Sequence, residues 1–166
     1  MAAEKIQAQL ANLLNQQIDL FDIKDTSLSK MQSYDIVILG ISTWDFGELQ
    51  EDWESTWSDI ASLDLHAKTI ALFGLGDQLG YADWFQDALG MLHDEVILLG
   101  CEVVGYWPNT GYDFVASKGL SEDGAFFVGL SLDDENQFDQ TDTRIATWCE
   151  QLAEHFSKPK VEIPAD

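Results

Sequence analysis

Two short segments concentrate residue types suited to a flat, conjugated ligand. One reads Ser42-Thr43-Trp44-Asp45-Phe46-Gly47-Glu48-Leu49, the other Gly74-Leu75-Gly76-Asp77-Gln78-Leu79-Gly80-Tyr81. Each sets a large aromatic residue among small, polar and glycine residues. A Trp from one loop and a Tyr from the other suit the two faces of a ring, because stacking is favourable and each retains a polar handle. Glycines let N–H and C=O groups approach a heterocycle's edge, and Asp77 adds an acceptor or a negative charge. The residues alone leave a second reading open, in which both aromatics pack beneath their own loops.

Other chemistries find less support. His66, His93 and His155 have no metal-site spacing, and a solvated surface position is expected for each. Neither a G-x-S-x-G elbow nor an H-E-x-x-H helix occurs. Leu132-Asp133-Asp134-Glu135-Asn136 lacks the ligand spacing of a calcium loop and reads as a solvated strand end. Cys101 and Cys149 form no C-x-x-C pair, so free, buried or half-buried thiols are expected. Trp53 and Trp57 read as helix packing.

The loops follow elements that can position them. YDIVILGI (34–41) and TIALFGLG (69–76) are apolar β-branched runs ending in glycine, the pattern of central parallel strands. EVVGYW (102–107) and FFVGLSL (126–132) are two more strands, and QQIDLFDI (16–23) alternates like another. Helical spacing appears at Ile6, Leu10 and Leu13/Leu14, at Trp53, Trp57 and Ile60, at Phe85–Val96, and at Ile145–Leu152. Alternating strands and helices predict an α/β doubly wound sheet, whose ligands bind beyond the carboxyl ends of the strands. The polar stretch 108–125 is longer than an ordinary connection.

Length and charge bound the rest. The chain has 166 residues and a net charge of −22, which suits one acidic domain with a real core. Nucleic acid and anionic membranes would repel it. No segment has the apolar length of a membrane span, and no secretory signal is visible, so a cytoplasmic location is expected; a monomer is expected as well. Residues 1–156 read as one domain, with 157–166 as a flexible tail.

From Tyr34 to Phe156 the sequence resembles long-chain bacterial flavodoxins, most closely the B-type. The resemblance is carried by YDIVILGISTWDFGELQEDWE, IALFGLGDQLGYADWFQDALGMLHD, VGYWPNTGYDF, FFVGLSLDDENQ and TDTRIATWCEQLAEH. It implies a flavodoxin-like parallel sheet of order 2-1-3-4-5, with an insertion near 108–125 splitting the last strand. It also implies noncovalently bound FMN and one-electron transfer rather than enzymatic turnover. Ser42, Thr43, Trp44, Asp45, Phe46 and Gly47 would then form the first flavin loop, and Leu75, Gly76, Asp77 and Tyr81 the second. Tyr81 would stack on the isoalloxazine ring and Trp44 cover its inner face. The peptides at 45–47 would sit at flavin N5, where a backbone flip stabilises the neutral semiquinone. Asp45 and Asp77 would disfavour the anionic hydroquinone and lower that couple's potential. The implied partners are redox proteins with basic faces, such as an NADPH–flavodoxin reductase.

The pattern departs from the family at Ser42, where Pro is usual, and at Trp84, where Asn is common outside the B-type. Met1 aligns inside the family's first helix, so the first strand and the Thr/Ser- and Gly-rich phosphate loop are expected to be missing. That departure supports an alternative: a flavin-free domain acting by protein binding, or an inactive truncated product.

Overall fold

The computed structural model describes residues 1–158. In chain order the elements are α1 (Ala2–Leu14), β1 (Ile36–Trp44), β2 (Glu48–Leu49), α2 (Glu51–Thr56), β3 (Thr69–Leu75), α3 (Asp87–Ile97), β4 (Glu102–Val104), β5 (Trp107–Pro108), β6 (Phe126–Phe127), β7 (Leu130–Leu132) and α4 (Phe138–Ser157). β1 and β3 pair in parallel from Ile36↔Thr69 to Ser42↔Leu75. β4 then follows the first half of β3 and β7 the second, both in parallel. One edge is therefore made of two short strands, with residues 105–129 between them.

Alternation along β3 divides the core. Ile70 and Leu72 face α2 and α3, joining Leu39, Ile41, Trp53, Leu89 and Leu92. Ala71 and Phe73 point the other way, into Ile6, Leu10, Ile145, Trp148 and Leu152 of α1 and α4. A strand buried on both faces has to be apolar at successive positions, which is why TIALF carries no polar residue after Thr69. The helices show the matching period: Ala2, Ile6 and Leu10 bury one stripe of α1, and Ile145, Trp148, Cys149 and Leu152 one stripe of α4.

The structure corrects several expectations. QQIDLFDI is not a strand. It has no paired neighbour among the described residues, leaves Leu20 and Phe21 exposed, and ends in a turn closed by Asp25 N–H on Asp22 O. The sheet is mixed rather than wholly parallel, because a tight turn folds β2 back against Thr43 and Trp44. The helical run at Trp53–Ile60 is one short α-helix continued by a 3₁₀ segment, Trp57–Ser62. Ser157 closes α4 rather than beginning a tail, and the rest of that expected tail, beyond Lys158, lies outside the described residues. His93 is not a solvated surface residue: its Nε2 lies 2.7 Å from the Tyr106 hydroxyl. Cys101 is a half-buried free thiol and Cys149 a buried one, as expected.

Candidate functional site

Parallel pairing brings the two chemically promising loops together. Because Ser42 lies opposite Leu75, the segments after β1 and β3 emerge at the same end of the sheet. Trp44, the last residue of β1, is 46% exposed, Tyr81 is 36% and Phe46 is 67%. All three side chains thus keep part of their surface open to solvent.

The first loop is a tight turn. Gly47 N–H donates to Trp44 O at 3.1 Å. Asp45 takes φ 40° and Gly47 φ 90°, so a non-glycine residue holds a left-handed conformation at the turn's first corner. Phe46 projects from the turn and meets Trp84 edge-on at 5.2 Å and Tyr81 at 6.1 Å. These contacts tie the first loop to the second. Thr43 faces elsewhere: its hydroxyl accepts the Ala88 N–H at 3.1 Å and so satisfies a donor in the first turn of α3. Ser42 is half-buried in the strand beside Leu75.

The second loop is braced from within. Gly76 N–H donates to Leu132 O, continuing the pairing of β3 with β7. Asp77 Oδ1 accepts from Leu79 N–H at 3.0 Å, Gly80 N–H at 2.7 Å and Asn136 Nδ2 at 2.8 Å. Its carboxylate is thus an acceptor, spent on bracing its own loop. Partial burial works against the charge, but donation from Gly80, Asn136 and Leu79 outweighs it and holds the carboxyl below its ordinary 3.8. A depressed carboxyl stabilises the fold above pH 3.8 and loses that contribution as pH falls through its lower folded value. Tyr81 N–H then donates to Asp77 O, and Trp84 N–H to Tyr81 O, which leads the chain toward α3.

Sequence reasoning missed the residues beneath these loops. Asp133 is not a solvated strand end: it is 0% exposed and receives the Gln78 side chain and backbone N–H. Trp84, which departs from the family pattern, is a contact of Phe46. Among the described residues, no group of His, Cys, Asp and Glu is arranged to hold a metal ion.

A ring with apolar faces and polar edges fits this arrangement. Trp44 and Tyr81 offer exposed aromatic surface to such a ring, and the segments 45–47 and 76–77 carry backbone N–H and C=O groups on the same two loops. That fit concerns the ring and assigns no residue to a phosphate.

Comparison with known proteins bears on the same point. The family model described as Flavodoxin matches residues 1–148. The chain is 53% identical over 161 residues to Flavodoxin 2 of Salmonella typhi, covering 95% of this chain and 91% of the relative. It is 47% identical over 139 residues to a flavodoxin of Synechococcus elongatus, covering 84% and 81%. Among solved structures it resembles a Fusobacterium nucleatum flavodoxin bound to flavin mononucleotide, with a TM-score of 0.82, 26% identity and coverage of 90% and 89%. The expected loss of an opening strand and phosphate loop finds no support in these comparisons.

Proposed function

The chain belongs to the flavodoxin family, electron-transfer proteins rather than enzymes, and from that premise we propose that it carries single electrons on FMN held between its two aromatic loops. Bound FMN supplies the redox chemistry, and the protein supplies position and environment. Trp44, Asp45, Phe46 and Gly47 form one wall of the site, with Ser42 and Thr43 the strand end that carries it, and Leu75, Gly76, Asp77 and Tyr81 form the other. Trp44 and Tyr81 exclude water from the ring faces. The turn at Asp45–Gly47 presents backbone groups to one edge. The observation carrying this reading is the pair of half-exposed aromatics, 46% and 36%, on loops that leave adjacent parallel strands.

Family membership implies redox protein partners. A net charge of −22 favours partners with basic docking faces, of which an NADPH–flavodoxin reductase is one, acting on a cytoplasmic monomer. Among the described residues no helix is long and apolar enough to cross a membrane. The test is anaerobic reduction of the FMN-loaded chain by NADPH and such a reductase, followed by flavin absorbance. Reduction is expected at low salt and should slow several-fold as ionic strength rises to about 0.5 M, where exposed charges are screened beyond a few ångströms. No reduction would remove the carrier role. A rate indifferent to salt would remove electrostatic docking.

A further inference from the structure

We propose that Asp133 is a positioning residue for the second ring loop: its buried carboxylate holds Gly76–Tyr81 in the shape that presents Tyr81 to the flavin. The inference rests on the reading that Tyr81 flanks the ring. Asp133 follows β7 directly and is 0% exposed. Its Oδ2 accepts from Gln78 N–H at 3.1 Å and Gln78 Nε2 at 2.7 Å. Its Oδ1 accepts from the N–H groups of Glu135 at 3.1 Å and Asn136 at 3.0 Å. Asn136 Nδ2 lies 3.1 and 2.9 Å from the two Asp133 oxygens and 2.8 Å from Asp77 Oδ1. Gln78 Oε1 in turn accepts the Asp113 N–H at 2.6 Å, which adds the long insertion to the same assembly.

The chemistry of the group makes this more than a list of contacts. A carboxylate can only accept, and burying one is costly unless donors surround it. None of the ion pairs among the described residues involves Asp133. Its compensation comes from N–H donors of two separate segments, the second ring loop and the 133–136 turn. If either segment moves, the charge loses partners. The carboxylate therefore favours the one arrangement in which both are in place. From there the restraint passes through Asn136 to Asp77, and through Asp77 to the N–H groups of Leu79, Gly80 and Tyr81. Tyr81 thus meets the ring already fixed, so less ordering is left for binding to cost.

The test compares the full chain with Asp133→Asn and Asn136→Ala. Asp133→Asn keeps the shape but turns an amide NH₂ toward groups that themselves donate. Asn136 is exposed, so Asn136→Ala spares the core and cuts only the link from Asp133 to Asp77. Three readouts are taken: FMN affinity, the reduction potential of the bound flavin, and amide hydrogen exchange without flavin. Asp133→Asn is expected to weaken FMN about tenfold or more, the size expected when buried donors lose a charged acceptor. It should also raise the potential, because the negative charge bonded to the loop that carries Tyr81 is removed. Exchange should accelerate at residues 78–81 in both variants, while β1 and β3 stay protected. A purely global destabilisation would accelerate exchange everywhere and leave the potential unchanged, and that result overturns the proposal. So do wild-type affinity and wild-type loop exchange in both variants. If Asp133→Asn does not fold, Asn136→Ala decides by the same criteria. If the unsubstituted chain takes no FMN, the carrier reading fails, and loop exchange in the flavin-free variants still decides the role of Asp133.

Discussion

A tryptophan and a tyrosine left partly in water at the ends of two parallel strands forgo apolar burial that a bound ring would restore. Nearby, Tyr112 shows the opposite treatment of an aromatic with a polar tip. Its hydroxyl donates to Ser131 O at 2.5 Å and accepts from Trp107 Nε1 at 2.9 Å, and the Arg144 guanidinium lies 4.2 Å above the ring. Burial pushes its pKa from 10.0 up to about 12, with Asp133 adding to the rise, against the opposing pull of Arg144 and the Trp107 donor. Cys149 is likewise raised by burial from 9.0 to about 12. Both groups are folded in their neutral forms, so their contribution is complete below their ordinary values and is lost as pH rises toward 12. The denaturant midpoint is therefore expected to fall from about pH 9 upward. Tyr112→Phe should lower stability at neutral pH and flatten the decline between pH 10 and 12. An unchanged slope in the variant would show that Tyr112 does not carry it. The two loops with exposed aromatics were legible in the sequence because glycine, small polar residues and one aromatic followed each apolar run. Asp133 was not legible: Asp-Asp-Glu-Asn looks solvated, and its donors on Gln78 stand 55 positions away.

At the scale of elements, the site depends on how closely β1 and β3 approach. Gly40 pairs with Phe73, and a Cβ built on Gly40 would lie 2.1 Å from Phe73 Cζ. Gly40 O also accepts the Trp53 indole N–H at 2.8 Å, so the same residue fixes α2 against the sheet. Gly40→Ala forces the Phe73 ring to move and is expected to cost about 1–3 kcal/mol by overpacking. Phe73→Leu should relieve part of that cost, giving a double variant more stable than the sum of the two single losses. Denaturant unfolding of all four proteins measures the coupling, and simple additivity would show that the contact is not the cause. The two central strands were legible because a strand buried on both faces is apolar throughout. QQIDLFDI misled because alternation reports which faces a segment could show, not whether a neighbour exists to pair with it. β2 left no signal, since two residues are too few for a period, and only the turn at Asp45–Gly47 creates it.

For the whole molecule, helices on both faces of a largely parallel sheet place two loops at one end. The alternation of strands and helices made this architecture legible. The path of residues 105–129 was not, because it depends on β4 and β7 sharing one edge of β3 across a long polar excursion. The central claim is that Trp44 and Tyr81 together form the flavin site. The most direct measurement is a titration of FMN fluorescence with the chain and with Trp44→Ala, Tyr81→Ala and the double variant. Saturable quenching by the unsubstituted chain is predicted, with each substitution weakening binding by about 1–3 kcal/mol, or roughly fivefold to somewhat over a hundredfold. Absence of quenching by the folded chain, or equal affinity in all four proteins, would contradict it.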